Sequence, residues 1–178
     1  GNLVPFLAAE IPSIENGGVA RDGTSVIWKL KRGVTWHDGA PFTADDCVFN
    51  WDYARDPATA AYTTGTYRDI TVEKLDSHTI RIVFKAPTPF WADAFVGTRG
   101  MLIPKHLFET YKGASSRDAP HNLKPVGTGP YLFDTFRPGD VLHARRNPNY
   151  HVPAKPHFDA VDIKGGGDAT SAARAVMQ

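Results

Sequence analysis

The sequence predicts an α+β fold with a mainly antiparallel sheet and short helices. Two pairs of strand patterns flank short turns, and one more strand pattern follows near the end of the chain. The helical patterns are short and do not alternate regularly with strands, which argues against a doubly wound parallel sheet. The 16 glycines and 14 prolines predict many turns between these elements.

Composition limits the classes of protein that fit. The 178 residues suffice for about one domain, and 42% of them are hydrophobic, which predicts a folded core. The 20 basic and 19 acidic side chains form no long run of one sign, so the charge pattern does not indicate binding to nucleic acid or to an anionic membrane. Cys47 is the single cysteine, which excludes an internal disulfide and a thiolate metal cluster.

The first half of the chain begins with a strand and a helix. Apolar and basic side chains alternate over residues 26–31, the pattern of a half-buried strand. Thr43 and Asp46 have the spacing of a capping box, and the helix that follows should end near Arg55, before Asp-Pro. Its apolar spacing predicts that Val48 and Trp51 are buried.

The remaining elements are hairpins and short helices. Strands over 70–75 and 79–85 flank a three-residue turn, and a second hairpin pairs 131–137 with 141–146 around the turn 138–140. Residues 158–164 form a closing strand. Short helices are expected over 87–95 and 105–111. Helix-start chemistry at Asp168 leads into a final helix that has no capping residue.

These features predict a single partial domain over residues 1–178. The first four residues do not resemble a natural start, and the last helix pattern stops in its second turn. We expect segments 1–25 and 158–178 to belong to a sheet region that continues in segments outside this sequence.

The stretch PVGTGPYLF, residues 125–133, invites comparison with a phosphate-binding loop. It lacks the Gly-Lys-Ser that completes such a loop, and Pro130 removes a backbone amide that a phosphate would use. It also precedes a strand, whereas anion-binding loops open a helix. We therefore interpret it as a structural turn. On that interpretation Gly127 or Gly129 should have a positive φ or lack room for a side chain.

Other candidate chemical groups do not assemble a reaction centre. The seven histidines are scattered, so His37-Asp38 fits a turn better than a metal ligand pair. Cys47 lies on the apolar side of a helix and fits a buried spacer better than a nucleophile. Asp45 and Asp46 point apart and fit capping. We expect no enzyme activity, cofactor or metal.

A run of residues from Trp28 to Asp46, WKLKRGVTWHDGAPFTADD, strongly resembles the family 5 extracellular solute-binding proteins of ABC importers. Three further blocks agree in order and spacing: IPKH at 103–106, PVGTGPY at 125–131 and RNPNY at 146–150. The resemblance covers roughly residues 5–178. Cys47 stands where valine is usual, and His151 stands where tryptophan often occurs.

The resemblance implies part of lobe I of a two-lobed periplasmic binding protein. Such a protein captures peptides or a related small solute and delivers it to a membrane permease. It would be a monomer and would not bind nucleic acid. It would be periplasmic or extracellular, lipid-anchored in a cell without an outer membrane. The alternative is a sensory or interaction module that reuses the fold, with a hydrolase as a distant third.

The resemblance also suggests which residues face the solute. In relatives, the loop after the first helix and the segment before IPKH contribute side chains to the interface between the lobes. The matching positions here are Tyr62, Thr64, Tyr67, Gly97, Thr98 and Arg99. The competing interpretation is that the two tyrosines cover the core and that Arg99 is a solvated side chain.

Overall fold

The structure is a computed structural model that describes residues 3–137 and 140–165. Two three-stranded antiparallel sheets are joined by short helices and turns, as the predicted α+β class requires. In the first sheet, β1 (Ser25–Lys29) and β2 (Ile70–Asp76) flank β3 (Thr79–Phe84). In the second, β5 (Val141–Arg146) lies between β4 (Tyr131–Arg137) and β6 (Ala160–Lys164).

Both predicted hairpins form antiparallel strand pairs. Val72 of β2 pairs with Ile82 of β3, and Leu132 of β4 pairs with Arg145 of β5. Both predicted hairpins and the closing strand are therefore confirmed within one or two residues at their ends. Two of the three residues of the second turn, and the helix predicted from Asp168, lie outside the described residues.

The helices are short apart from the first. Helix α1 spans Ala44–Arg55, α2 spans Thr64–Tyr67 and α3 spans Lys105–Phe108, with 3₁₀ turns at Gly97–Arg99, Glu109–Tyr111, Gly113–Asp118 and Pro120–Asn122. The capping box is confirmed at the start of α1: the Thr43 hydroxyl accepts from the amide of Asp45 at 3.3 Å, and the Asp46 carboxylate accepts from the amide of Thr43 at 2.9 Å.

The predicted buried face of α1 needs correction. Val48 and Trp51 are only half-buried, whereas Cys47, Phe49 and Asn50 are buried. The reason is that α1 packs on two sides. One side covers the first sheet, and the other packs Phe49 into a second cluster with Phe108. Two-sided packing buries a wider arc of the helix than one apolar stripe.

The helix predicted over residues 87–95 is also wrong. This segment forms successive turns without a helix, and Phe95 has a positive φ of 62°. Pro89 disfavours the helical backbone conformation of the residue before it, Thr88, so a regular helix cannot begin in this stretch.

The main core lies on the first sheet, and all four tryptophans of the chain belong to it or pack against it. Trp28 and Trp36 are buried in it, and Trp51 and Trp91 pack against its margin. The Trp28 and Trp91 rings lie 5.8 Å apart. The second sheet contributes no member to this core among the described residues.

Hydrogen bonds connect the four sequence blocks to one another. Asn50 of α1 binds both backbone groups of Ile103, and the Asp46 carboxylate accepts from the amide of Lys105 at 3.0 Å. Asp38 contacts His106 at 2.7 Å. The blocks that mark the sequence are therefore the segments at which separate parts of the chain meet.

The segment 125–131 is bound through its backbone groups. The His37 ring contacts the amide of Gly127 and the carbonyl of Gly129, and the Asn147 side-chain amide donates to the same carbonyl at 3.0 Å. Neither glycine has a positive φ, and a Cβ at Gly129 would meet no atom within 4 Å. The expectation of backbone strain or crowding at these glycines is therefore wrong. The shape of this segment is fixed instead by the hydrogen bonds that its peptide groups make with His37 and Asn147.

Candidate solute-facing surface

The loop after α1 presents one almost fully exposed aromatic side chain. Tyr62 is 97% exposed. Two residues later, the Thr64 hydroxyl donates to the carbonyl of Ala61 at 2.9 Å and stabilises the turn into α2. Tyr62 is thus free to contact a ligand, whereas Thr64 shapes the backbone beside it.

Tyr67 ends α2 and is a core residue. It is 2% exposed, and its ring meets that of Phe95 edge-on at 5.2 Å. Its hydroxyl oxygen accepts from the amide of Phe95 at 3.3 Å. Burial raises the pKa of Tyr67 to about 12, so the phenol remains neutral at physiological pH. Tyr67 therefore joins the two segments predicted to face the solute.

The second of these segments is a sharply bent loop. Phe95 and Gly97 both have φ near +60°, at 62° and 61°. A Cβ at Gly100 would lie 2.2 Å from the backbone carbon of Phe95, so only glycine fits there. Gly97 and Thr98 are exposed on this loop, and Arg99 ends its 3₁₀ turn. Sequence reasoning missed the requirement at Gly100, although a Gly-Thr-Arg-Gly run is a signal for a tight loop.

A cleft of about 730 Å³ opens beside Tyr62, at the end of the first sheet where β2 begins and β3 ends. Its lining is contributed by three segments: Tyr62, Thr63, Gly65 and Thr66; Asp69 and Ile70; and Phe84, Lys85, Ala86, Thr88, Phe90, Asp93 and Ala94. Of the six predicted residues, Tyr62 lines this cleft. Gly97 lines a separate apolar cavity of about 330 Å³ between residues 3–8 and the main core.

The cleft combines aromatic and charged groups. Phe90 is 69% exposed and forms the rim with Tyr62. Lys85 binds Asp69 at 2.6 Å, and this hydrogen bond lowers the pKa of the Asp69 carboxyl. The sequence alone does not identify Phe90, because the pattern over residues 87–95 predicts a helix. It does not identify the Lys85–Asp69 pair either, because the two residues are joined only by the register of β2 and β3.

Among the residues that the structure describes, the remaining chemical groups do not form a second site. Cys47 is buried, and burial raises the pKa of its thiol, which disfavours the reactive thiolate. In the described ranges, no three His, Cys, Asp or Glu side chains are grouped as metal ligands. None of the helices there has the length and apolar character needed to cross a bilayer.

Solved structures share this architecture. NikZ from Campylobacter jejuni, in complex with Ni(L-His), aligns with a TM-score of 0.82 and 26% identity over 97% of this chain and 33% of its own. AppA from Bacillus subtilis, in complex with a nonapeptide, aligns with a TM-score of 0.82 and 25% identity over 96% of this chain and 32% of its own. The fold is that of a part of a two-lobed periplasmic binding protein.

Sequence comparison gives the family. Residues 2–178 match the bacterial extracellular solute-binding proteins, family 5 Middle, and the chain belongs to this family. The di/tripeptide-binding protein 2 of Pseudomonas aeruginosa is 30% identical over 177 residues, covering 88% of this chain and 33% of the relative. The glutathione-binding protein GsiB of Shigella boydii is 29% identical over 148 residues, covering 83% and 28%. The chain thus spans about a third of its relatives' length.

Proposed function

We propose that this chain is part of the substrate-binding component of an ABC importer. It captures a peptide or a related small solute and delivers it to a membrane permease. The observation that carries the proposal is the family match over residues 2–178, which includes all four sequence blocks. The relatives are named for di- and tripeptides and for glutathione, all peptide-like solutes. The role is binding without catalysis.

The cleft at Tyr62 supplies groups that suit such a solute. Tyr62 and Phe90 offer apolar faces at its rim, which would pack on side chains of a peptide. Lys85 and Asp69 line the cleft as an exposed ion pair, and each would exchange its partner for one of the two charged ends of a short peptide. Gly97, Thr98 and Arg99 would complete this surface from the adjacent loop. Thr64 and Tyr67 would position the two segments.

The location and assembly follow from the same role. A protein that captures solute for an importer works outside the cytoplasmic membrane, in the periplasm or on the cell exterior. In a cell without an outer membrane, a lipid anchor would keep it at the surface. We propose a monomer that docks on a permease and uses neither nucleic acid nor a cofactor.

Calorimetry of the whole protein tests the proposal. The panel contains dipeptides, tripeptides, glutathione and nickel–histidine. We expect one class to bind with a Kd of about 1 μM, and the 178-residue chain alone to bind no tighter than about 1 mM, because affinity depends on enclosing the solute. Micromolar binding by the chain alone would place the complete site within it. Hydrolysis of a bound solute would indicate an enzyme instead.

A further inference from the structure

His37 is joined to residues 127–129 by three hydrogen bonds. Its backbone amide donates to the carbonyl of Gly127 at 2.8 Å. Its ring Nδ1 accepts from the amide of Gly127 at 3.1 Å, and its Nε2 lies 3.0 Å from the carbonyl of Gly129. A backbone amide can only donate and a carbonyl can only accept, so the ring must be neutral with its proton on Nε2.

These bonds connect the two sheets. His37 follows β1 and the buried Trp36 of the main core, whereas Gly129 lies two residues before β4. The Gly129 carbonyl also accepts from Asn147, just after β5. Other contacts span the same boundary, including Val126 against the main core and His151 Nε2 on the carbonyl of Phe6 at 3.1 Å. His37 differs from His151 because its Nδ1 accepts a backbone N–H, so protonation of the ring must break a hydrogen bond, whereas Nδ1 of His151 has no partner.

The titratable or charged groups around the ring come from five parts of the chain. His37 lines a groove of about 590 Å³ whose titratable or charged members are Asp38, His121, Lys124, Asp134 and Arg145. His106 of α3 reaches this region through its contact with Asp38. Burial lowers the pKa of His37, and this effect outweighs the opposing influence of the Gly129 carbonyl and the Asp38 charge.

We propose that His37 and residues 127–129 form an acid-released latch between the two sheets. A proton on Nδ1 would turn it from acceptor to donor and set it against the N–H of Gly127. The ring would then lose its bond to the Gly127 amide, and residues 127–129 would be held less tightly to the turn that carries His37, with the bond from the His37 backbone amide remaining.

The neighbouring contact between His106 and Asp38 does not involve the His37 ring. His106 Nε2 lies 2.7 Å from the Asp38 carboxylate and attaches IPKH to the turn that carries His37. Burial disfavours the Asp38 charge, but hydrogen bonds from His106 and from the amide of Ala40 outweigh it and keep the pKa of this carboxyl below its usual range. Mild acid therefore loosens 127–129 while IPKH remains attached to Asp38.

The direction with pH follows from linkage. In the open or unfolded state His37 has an ordinary pKa of about 6.5, which is above its value in the closed latch. The latch is fully closed well above this pH, where both states are neutral. It weakens as the pH falls through this range, because the open state binds the proton first.

Amide exchange of the 178-residue chain, followed by NMR and corrected for intrinsic exchange rates, tests the latch. We expect protection of the Gly127 amide to fall about tenfold or more from pH 7.5 to pH 5, while the amide of Ile82 in β3 stays protected. The ¹⁵N shifts of His37 should show unprotonated Nδ1 at pH 7.5. Ring protonation with unchanged Gly127 protection would overturn the proposal.

Variants separate His37 from the other histidines. His37→Gln removes the titration and keeps one acceptor and one donor, so Gly127 protection should vary less than about twofold over the same range. His121→Gln, in the same groove, is the matched control and should retain the wild-type loss. A loss that persists in His37→Gln, or disappears in His121→Gln, would assign the pH response elsewhere. If His37→Gln does not fold, the proposal is decided on the wild type, by comparing the ¹⁵N ring shifts of His37 with the protection of the Gly127 amide over the same pH range.

Discussion

The side chain of Asn50 binds both backbone groups of Ile103. Its amide nitrogen donates to the carbonyl at 2.8 Å, and its amide oxygen accepts from the N–H at 2.9 Å. The same nitrogen also donates to the carbonyl of Asp46 one turn earlier at 2.8 Å. One buried amide therefore fixes α1 against the segment that leads into α3, across 53 residues of sequence.

Replacing Asn50 with alanine should destabilise the chain by about 2 kcal/mol, because two backbone groups of Ile103 lose their partner. Urea unfolding measures this difference in the free energy of unfolding. Asn149→Ala is the matched control, since Asn149 is exposed and only its backbone amide is bonded to Asn147. Equal stability of the two variants would show that the Asn50 bonds contribute nothing.

Gly100 and Gly129 should respond differently to alanine. A Cβ at Gly100 would lie 2.2 Å from the backbone of Phe95, whereas a Cβ at Gly129 would meet open space. We expect Gly100→Ala to lower stability by more than about 1 kcal/mol and Gly129→Ala to change it by less than about 0.5 kcal/mol. Thermal melts of both variants measure the difference. The reverse order would contradict the geometry of the loop 95–100.

Cys47 should be unreactive until the chain unfolds. It is 2% exposed in the main core, and burial raises the pKa of its thiol. Labelling with a thiol reagent at pH 8 should be slow in native buffer and fast in urea. Rapid native labelling would show that the α1 face opens in the folded state.

Substitutions at Cys47 test the same packing. Cys47→Val should cost less than about 1.5 kcal/mol, because it is close in volume and apolar. Cys47→Ser should cost more, since it places a hydroxyl in apolar surroundings. Urea unfolding compares the pair. A serine variant as stable as the valine variant would indicate that water reaches this position.

The rim of the cleft should affect binding without affecting stability. Tyr62→Ala and Phe90→Ala remove exposed side chains, so we expect each to change stability by less than about 0.5 kcal/mol. In the whole protein, each should weaken the preferred solute by about 1–2 kcal/mol in calorimetry. Leu123→Ala, exposed but outside this cleft, should leave affinity unchanged. If neither aromatic substitution changes the affinity, the rim is not part of the solute-facing surface.

The sequence predicted the structural features that depend on contacts between residues close together along the chain. Alternation identified β2 and β3, and Thr43 with Asp46 identified the start of α1, because hairpins and caps are local. The four blocks also identified the family. The width of the buried face of α1 escaped prediction, because it depends on Phe108, which lies far along the chain.

The candidate surface was predictable only in part. Tyr62 is exposed at a cleft, as expected of a ligand residue, whereas Tyr67 is buried under Phe95, as the competing interpretation held for both tyrosines. Local pattern cannot separate these cases, since the sequence predicts both tyrosines in one loop after α1, whereas Tyr67 ends the short helix α2. Burial is decided by the bend at residues 95–100, whose backbone conformation has no simple sequence code.

The four tryptophans all lie in one part of the molecule, so fluorescence and circular dichroism report on different parts of the fold. Because Trp28, Trp36, Trp51 and Trp91 all belong to the main core or its margin, intrinsic indole fluorescence reports on the first sheet alone. Far-ultraviolet circular dichroism, by contrast, senses the peptide groups of both sheets. If the second sheet unfolds before the first, the ellipticity will change at a lower denaturant concentration than the fluorescence emission. The difference between the two midpoints will measure how independently the two sheets unfold.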